Sequence, residues 1–541
     1  MAKDPALTLL QHPWIAPCSD EARKKLLSDE EFRNKIQEIK RALHAGKPPK
    51  GQLFLNIGNE VLDMGFYELS RQAYQLGYKD AETAAVLNNI GYAYTREENF
   101  EKSIEYYKAA LNVNPKYDRA INNVAADLIR MALRRFDEDT PESLIESEKL
   151  LYESLAYKPN HDWALINMGN VLERRGSTKK AIYWIEAAIE ANPTYGNARS
   201  NIAHAYFKVG EFAKSFENFE WRSKSDGNPG KKARFTDRLY WDGKEDLAGK
   251  SILLHWEQGF GDMIQCVRYL FWFRQKYPTA NIVLETMEAL DPLFHQLADP
   301  SGFVGEVDAE CIMPCVNETL INNREKYADR QFDFVYPFYS LPYLYYLEKQ
   351  SIPMFSAYLH RPPAKQSWNE LRDSLRAKKK KIVGLNWAGR PSHGNDRFRS
   401  THLSFLRDLV DSPELADCQF VSFQMGEQRV QIKEMGLEDK IVDVVDLIEN
   451  FCDATMIIHD IDYLVTVDSA YLHLAGAIGT KAIALIAKRS DYRWMLDRKD
   501  SILYPSVTVV RQKANLIWDA EERQEMIDVI RGRNVIAPTG N

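Results

Sequence analysis

The sequence predicts a multidomain protein in which an α-helical repeat superhelix precedes two α/β domains with parallel sheets. Two observations support this prediction. Residues 51–228 repeat with a period of about 34 residues, which is typical of stacked helix pairs. After residue 228, uncharged runs of strand-forming residues alternate with helical segments, as in doubly wound parallel sheets. We therefore predict a helical cap over 1–50, a repeat array over 51–228, a first α/β domain over 229–365 and a second over 366–541 with a C-terminal helix.

The repeats match the tetratricopeptide pattern. A unit that starts at Leu87 places small, aromatic and proline residues at the offsets of that pattern, namely Gly91, Tyr94, Tyr107, Ala110 and Pro115. Similar offsets recur along the array, and we predict about five helix pairs. The small residues let the two helices of a unit approach each other. Aromatic residues fill the groove to the next unit, and proline stops the second helix.

A stack of such pairs forms a curved superhelix with a long concave face. This face usually holds an extended peptide or another protein, so we expect it to bind a macromolecular acceptor or a partner protein. The alternative is a structural array that packs on its own catalytic domain. Residues 1–50 have a helical, charged pattern and are expected to cap the array, because terminal repeats need a polar outer face.

The composition indicates a globular protein of the cytoplasm. Of 541 residues, 45% are hydrophobic and 27% are charged, and the net charge of −7 gives no overall basic field for nucleic acid or membrane. The first residues lack the apolar core of a signal peptide, and polar residues interrupt the apolar stretch at 463–487, so we predict no membrane span. The six cysteines are scattered without a zinc pattern, which favours reduced thiols.

Residues 462–487 carry the clearest indication of a ligand site. The pattern predicts a buried strand, a short helix closed by a glycine and a second strand, over Tyr463–Val467, Ala470–Ile478 and Ala482–Ala487. Ligands of parallel sheets bind beyond the carboxyl ends of the strands, where a helix N-terminus offers free N–H groups to a phosphate or diphosphate. Many such units bind nothing there, so the pattern leaves both readings open. Ala475 and Gly476 are expected to keep the helix thin, so that it lies close to the sheet.

The first α/β domain contains a glycine-rich turn with an acidic residue. We predict a strand over Lys250–Trp256, the turn Glu257-Gln258-Gly259-Phe260-Gly261-Asp262, and a helix from about Met263 to Lys276. Gly259 and Gly261 permit a tight turn with positive φ. Asp262 is either the N-cap of this helix or a general base that faces a cleft. The rest of the domain is expected to use Asn281–Glu285, Phe334–Val335 and Met354–Tyr358.

The second α/β domain begins with a strand at Lys381–Trp387, and the loop that follows is rich in hydrogen-bond donors. Arg390, Arg397 and Arg399 in this loop are suited to neutralise a diphosphate, or else they pair with acidic neighbours on the surface. Asp460-Ile461-Asp462 has the form of a metal-binding Asp-x-Asp, but it lies at the amino end of a strand, so we expect no metal site there. Further strands are predicted at Gln419–Gln424, Ile441–Val445, Asp462–Val467 and Ala482–Ala487.

Three blocks of the sequence resemble the signatures of bacterial and phage tetratricopeptide-repeat glycosyltransferases, which belong to the GT-B superfamily. The blocks are LLHWEQGFGDMIQCVRYL, GLNWAGRPSHGNDRFRS and TVDSAYLHLAGAIGTKAIALIAKRSDYRWMLDRKDSILYPSVTVVRQ. More distantly, the second half resembles the heptosyltransferases, and the overall layout resembles the protein O-GlcNAc transferases. The resemblance covers residues 50–515 in outline.

This resemblance implies a GT-B pair of Rossmann-like domains that performs an inverting, metal-independent transfer from a nucleoside-diphosphate sugar, with no cofactor. By similarity to the heptosyltransferases, Asp262 becomes the candidate general base, in an acceptor-side turn with Gln258, Gly259 and Gly261. Helix N–H groups and arginines would stabilise the leaving diphosphate in place of a metal. The implied donor-binding residues are Asn386, Arg390, Arg397, Arg399, Gln424, Asp468, Ser469, His473, Leu474, Ala475 and Gly476.

The sequence also departs from the related families. The lysine that O-GlcNAc transferases place on the donor phosphate has no counterpart, and Arg397 or Arg399 is expected to substitute for it. The family's Asp-Thr pair is Asp468-Ser469 here, which keeps the hydroxyl. A further family block includes Asp491, Arg493 and Trp494, for which packing and the rim of a site are the expected roles.

The favoured hypothesis is a cytoplasmic glycosyltransferase that moves a sugar to a hydroxyl of a macromolecule. The acceptor is left open between a protein, a glycan and a hydroxylated base of phage DNA. The alternative from another class is a catalytically inactive repeat scaffold that binds peptides or proteins. A nucleotide-sugar epimerase of similar two-domain form is a weaker alternative, because it leaves the repeat array without a role.

Overall fold

The computed structural model describes residues 11, 13, 15, 18–44, 51–78, 83–224, 239–321, 330–392, 394, 396–513 and 518–533. The chain divides into two compact units, Met1–Ala198 and Arg199–Asn541. The predicted boundary between the repeat array and the first α/β domain, at residue 228, falls outside the described residues. No helix in the described part of the chain has both the length and the apolar composition needed to cross a membrane.

The first unit is helical. Helices α1 and α2 lie within the predicted cap, and four antiparallel helix pairs follow. The bounds are α1 Asp20–Ser28, α2 Glu30–His44, α3 Gly51–Asp63, α4 Tyr67–Tyr78, α5 Ala84–Arg96, α6 Phe100–Val113, α7 Asp118–Glu138, α8 Pro141–Tyr157, α9 Asp162–Arg174 and α10 Thr178–Ala191. A fifth pair, α11 Gly196–Lys208 and α12 Phe212–Phe219, begins at the boundary between the units and lies mostly in the second.

Close approach explains the small residues of the repeat. A Cβ added at Gly91 would lie 2.7 Å from the ring of Tyr107, and one added at Gly169 would lie 2.3 Å from Ile185. Both distances are too short for real atoms, so only glycine lets the two helices of the pair pack this closely. The prolines act as predicted, because α6 ends at Val113, two residues before Pro115.

The second unit contains a four-stranded parallel sheet in the order β3-β2-β1-β4. Its strands are β1 Ser251–His255, β2 Asn281–Thr286, β3 Glu318–Ile321 and β4 Phe334–Pro337. The associated helices are α13 Phe260–Cys266, α14 Arg268–Lys276, α15 Asp291–Phe294 and α16 Leu341–Lys349. The apolar segment Met354–Tyr358, which was expected to contribute to this domain, forms no strand but places Phe355 and Tyr358 in the core. Its Tyr358 N–H instead bonds the carbonyl of Ala477, 2.8 Å away.

The second sheet is also parallel and has six strands in the order β10-β9-β8-β5-β6-β7. Its strands are β5 Lys381–Asn386, β6 Cys418–Ser422, β7 Ile441–Asp443, β8 Tyr463–Val467, β9 Ala482–Ile486 and β10 Val507–Arg511, of which β10 was not predicted. Its helices, including the one before β5, are α17 Gln366–Lys378, α18 Asp396–Arg399, α19 Leu403–Val410, α20 Gln431–Glu434, α21 Phe451–Asp460, α22 Ala470–Ala477 and α23 Ala520–Arg531.

The strand orders identify where each sheet would bind a ligand. Counted from its own first strand, the second sheet has the order of a doubly wound dinucleotide-binding fold, and its topological switch point lies between β5 and β8. The first sheet reverses in the same way between β1 and β4. Ligands of open parallel sheets bind beyond the carboxyl ends of the strands at such points.

Candidate functional site

The turn after β1 brings Asp262 to the switch point of the first sheet. Asp262 lies in the first turn of α13, whose N-cap is Gly259. Its Oδ2 accepts the Gly259 N–H at 2.8 Å, and its Oδ1 accepts the Tyr339 hydroxyl at 3.0 Å. The N-cap role considered for Asp262 was therefore wrong in position, because its carboxylate caps the helix from three residues further on. Tyr339 follows β4, so the two residues lie in the segments that follow the two strands flanking the switch point.

Arg493 ties this carboxylate to the second sheet. Its guanidinium donates to Asp262 Oδ1, to the Tyr339 hydroxyl at 2.8 Å, to Asp491 Oδ1 at 2.6 Å and to Gln265 Oε1 at 2.8 Å. The Arg493 side chain is 12% exposed. Arg493, for which packing and the rim of a site were the expected roles, is thus the central cation of a network that joins Asp262 to the loop after β9.

Part of the Asp262 carboxylate is left for another donor. Within the described part of the chain, its Oδ2 accepts only the Gly259 N–H, while Oδ1 receives both Tyr339 and Arg493. A carboxylate oxygen has two lone pairs. Oδ2 therefore keeps an acceptor position for a hydroxyl of a bound molecule, and the side chain is 19% exposed.

The two glycines of this turn do not adopt the positive φ that was predicted. Gly259 has φ −75°, and Gly261 is not among the glycines of the described chain with positive φ. Gly261 is needed for a different reason, because a Cβ there would lie 2.6 Å from the imidazole of His473. The turn of the first sheet therefore packs directly on α22 of the second. Gln258 beside it is half-buried, and its carbonyl accepts the indole N–H of Trp256.

The switch point of the second sheet is held by a network of amides and hydroxyls. Asn386 Oδ1, at the end of β5, accepts the Thr466 hydroxyl at 3.0 Å and the Ser469 hydroxyl at 3.1 Å. Gln424 Oε1 accepts the Asn386 amide at 3.1 Å and the Ala388 N–H at 2.8 Å. Asn386 and Gln424 are buried, so they fix the turns after three strands. Ser469 is half-buried at the N-cap of α22, where helix N–H groups are available to an anion.

Most of helix α22 is buried, from Leu472 through Ala477. Leu474 and Ala475 are fully buried, so the donor-binding role that the resemblance implied for them is wrong as a direct contact, and both side chains pack in the core. Position 476 requires glycine, but not for the predicted close approach of the helix to the sheet. A Cβ added at Gly476 would lie 2.2 Å from the ring of Tyr504. The Tyr504 hydroxyl lies 2.9 Å from His473 Nδ1, so His473 is held between Tyr504 and the Gly261 turn.

The arginines of the loop after β5 differ in their contacts. Arg399 donates to Asp396 at 3.0 Å and to the carbonyl of Asp468 at 3.1 Å, so it lies directly beside the β8 turn. The Arg397 guanidinium lies 4.5 Å from the centre of the Phe398 ring, and Arg489 from the loop after β9 lies at the same distance from that ring. Arg390 is exposed. Three cationic side chains therefore gather at the carboxyl ends of β5, β8 and β9.

Burial and the charge of Arg493 together determine the pKa values of Asp468, His473 and Asp491. It raises the pKa of Asp468 to about 6, with a further contribution from the negative charge of Asp491. Burial and the charge of Arg493 lower the pKa of His473 to about 3, so this imidazole is neutral at physiological pH. Burial would also raise the pKa of Asp491, but Arg493 outweighs it and leaves that pKa below its usual value. The neutral imidazole therefore adds no positive charge for an anion, and the Asp468 carboxyl repels an anion only where it is ionised, above a pH of about 6.

Two residues near Asp262, Tyr339 and His204, carried no signal in the sequence. Tyr339 follows a short strand and belongs to no motif, although any polar residue after β4 would face the switch point once the strand order is known. His204, on α11, stacks on Tyr492 with a ring distance of 4.7 Å and an angle of 8°. The Tyr492 hydroxyl lies 3.1 Å from that of Tyr339. The last helix pair therefore contacts the cluster around Asp262.

The acidic residues discounted as a metal site are engaged elsewhere. Asp460 pairs with Arg361 at 2.6 Å and with Arg372 at 2.9 Å, and Asp462 pairs with Arg376. Throughout the described ranges, no group of three or more His, Cys, Asp or Glu side chains is placed to hold a metal ion. All six cysteines are free thiols.

Comparisons with known proteins identify one tetratricopeptide repeat and several distant likenesses. A tetratricopeptide repeat model matches residues 84–117. The chain is similar to Protein FlbA of Caulobacter vibrioides, with 23% identity over 507 residues, 90% of this chain and 80% of that protein. Solved structures with a likeness include MamA AMB-1, with 17% identity, a TM-score of 0.25, and coverage of 33% of this chain and 92% of MamA. Another is YrrB, described as a TPR protein with an unusual peptide-binding site, with 15% identity, a TM-score of 0.26, and coverage of 37% of this chain and 97% of YrrB. The chain therefore contains a tetratricopeptide repeat, within a helical array that precedes two parallel sheets.

Proposed function

We propose that this protein is a glycosyltransferase of the GT-B type, which moves a sugar from a nucleoside-diphosphate sugar to a hydroxyl of a macromolecular acceptor. One observation supports the proposal most. The switch points of two parallel sheets are joined, with a carboxylate on the first and a helix N-terminus with nearby arginines on the second. A base on one side and an anion site on the other are what transfer from a nucleotide sugar needs.

In this proposal Asp262 is the general base. Its free Oδ2 position accepts the proton of the acceptor hydroxyl while the acceptor oxygen bonds to the anomeric carbon of the sugar. The bond between that carbon and the diphosphate oxygen breaks, and the diphosphate leaves with the electron pair. Attack on the face opposite the leaving group inverts the anomeric configuration. Arg493 and Tyr339 hold the carboxylate in place through Oδ1.

The donor diphosphate is proposed to bind at the N-terminus of α22. The first N–H groups of the helix would donate to its oxygens, and the Ser469 hydroxyl would exchange its bond to Asn386 for one to the diphosphate. Arg399 beside the same turn would offset the charge of the diphosphate. Arg397 and Arg489 lie at the same edge of the sheet. Asn386 and Gln424 would support these groups rather than bind the nucleotide, because their amides are occupied by neighbouring turns.

A screen of nucleoside-diphosphate sugars tests the proposal. The purified protein is incubated with each donor, with and without chelator, and both the melting temperature and the release of nucleoside diphosphate are measured. We expect at least one donor to raise the melting temperature and to be turned over equally well in chelator. If no donor and no free nucleoside diphosphate has any effect, the glycosyltransferase proposal fails and the repeat scaffold becomes the better account.

Blocking the α22 N-terminus should abolish donor binding. Replacing Ser469 with Trp removes the hydroxyl and fills the space before the first helical N–H groups, so donor affinity should fall by at least about a hundredfold, on the scale of several lost charge-assisted hydrogen bonds. Calorimetric titration measures the loss. Ser412→Trp, in the turn before β6 Cys418–Ser422, is the matched control and should bind normally. Unchanged affinity in Ser469→Trp would exclude this helix as the diphosphate site.

Donor affinity should also depend on the protonation of Asp468. Because its pKa is raised to about 6, the carboxyl is ionised above that pH and repels the diphosphate, and it becomes neutral below. Donor affinity should therefore increase as the pH falls through about 6, by up to about tenfold per unit. An intact nucleotide sugar is the ligand, because its phosphates do not titrate in this range. Asp468→Asn should bind with little pH dependence, and the same slope in that variant would assign the effect to another group.

A further inference from the structure

The end of the last helix pair carries a buried cation beside the candidate site. A short 3-10 turn, Glu220–Lys224, follows α12 directly. Arg222 in this turn is 6% exposed, although an arginine is always charged. A buried charge must be compensated by its neighbours, so the partners of Arg222 indicate what it holds.

Arg222 is bound by groups from three segments. Its Nη1 donates to Glu220 Oε1 at 2.9 Å, and its Nη2 donates to Glu257 Oε2 at 2.6 Å and to the Ser340 hydroxyl at 2.7 Å. The Ser340 hydroxyl in turn donates to Glu220 Oε2 at 2.7 Å. The Glu257 side chain is 4% exposed, so this ion pair is shielded from solvent.

Two of these partners belong to the loops that hold the proposed base. Glu257 lies in the turn after β1, two residues before Gly259, whose N–H bonds Asp262. Ser340 is the neighbour of Tyr339, whose hydroxyl bonds Asp262 from the other side of the switch point. Both loops that contact the Asp262 carboxylate are therefore fastened to the same guanidinium.

An aromatic contact reinforces the same arrangement. The Phe219 ring, at the end of α12, lies 5.5 Å from the Tyr339 ring, and the Arg222 guanidinium lies 4.6 Å from the Phe219 ring. Stability alone is a weak explanation for the cluster, since replacing a buried ion pair by apolar residues is often neutral or stabilising. A fixed geometry for the two loops is the better explanation.

We propose that Arg222 is a positioning residue for Asp262, which holds the turn after β1 and the turn after β4 at the spacing that the general base requires. The end of the repeat array would then be part of the catalytic machinery rather than only a binding surface. This inference rests on the proposed function for the role of Asp262, but the geometry it describes is testable without turnover.

The test compares full-length Arg222→Met and Arg222→Lys with the wild type. Hydrogen exchange should become faster in peptides that cover 256–266 and 334–345 in Arg222→Met, and stay unchanged in the second sheet. Turnover of a donor found by the screen should fall at least about tenfold in kcat, with the donor Kd within about twofold, since positioning acts on the chemical step. Arg222→Lys keeps the positive charge but loses the planar set of guanidinium N–H donors, so its kcat should lie between those of Arg222→Met and the wild type.

Arg361→Met is the matched control. Arg361 is a mostly buried arginine that pairs through two nitrogens with Asp460, away from both switch points. This variant should lose stability and keep kcat. If Arg222→Met unfolds the chain, Ser340→Ala replaces it, because loss of this hydroxyl and its two hydrogen bonds should still lower kcat several-fold at unchanged donor affinity.

The outcomes separate this inference from the proposed function. Unchanged exchange in the two loops, or unchanged kcat in Arg222→Met and Ser340→Ala, would overturn the positioning role. If the wild type turns over no donor, the proposed function fails, and the exchange measurement alone decides whether Arg222 holds the two loops.

Discussion

Replacing Asp262 with Asn is expected to lower sugar transfer by about a hundredfold to ten-thousandfold, the range of general base catalysis, while donor affinity stays nearly unchanged. The amide has almost the same shape as the carboxylate but cannot take the proton of the acceptor hydroxyl. Donor affinity should persist because the proposed diphosphate site lies on the other sheet, at Ser469 and Arg399. The measurement is kcat with a saturating donor and, once known, the acceptor.

Asp333→Asn is the matched control for this variant. Asp333 precedes β4 and lies at the amino ends of the strands, away from Asp262. Its carboxylate accepts the Ser251 N–H there at 2.8 Å. It should keep its turnover. Normal turnover in Asp262→Asn would remove Asp262 as the base and leave it a helix-capping role through Gly259.

Replacing Arg493 with Met should cost both stability and activity. The Asp262 and Asp491 carboxylates would lose their shared cation while they remain mostly buried, and breaking such a pair costs about 3–5 kcal/mol. We expect a melting temperature several degrees lower and a transfer rate as low as that of Asp262→Asn. Thermal unfolding and donor turnover measure the two effects.

A second substitution tests whether charge is the cause. In the Arg493→Met background, Asp491→Asn removes one uncompensated carboxylate and should recover part of the lost stability. In the wild type, the same change removes a partner of Arg493 at 2.6 Å and should destabilise the protein. If Asp491→Asn is destabilising to the same extent in both backgrounds, the two residues are not coupled and the proposed network is wrong.

Strong periodicity made most of the fold predictable. The five helix pairs follow from glycines such as Gly91 and prolines such as Pro115, whose roles depend only on local sequence and close packing. Strands buried on both faces, such as β8, appear as uncharged runs. The strand β3 has half-buried and exposed residues in place of such a run, so its sequence carried little signal.

The site was less predictable because its contacts are long-range. Asp262 and Arg493 are 231 residues apart, and no local pattern relates them. The amides of Asn386 and Gln424 could be placed at strand ends from the sequence, but only the strand order reveals that they bind each other instead of facing a ligand. For the same reason Gly476 was expected to allow a close approach of α22 to the sheet, whereas the side chain that requires glycine there is Tyr504.

The most direct test of the account is calorimetric titration of the best donor from the screen into three full-length proteins: the wild type, Ser469→Trp and Asp262→Asn. We expect the wild type and Asp262→Asn to bind the donor with similar affinity, Ser469→Trp not to bind it, and only the wild type to turn it over. Equal binding by Ser469→Trp, or equal turnover by Asp262→Asn, would contradict the division of roles between the two sheets.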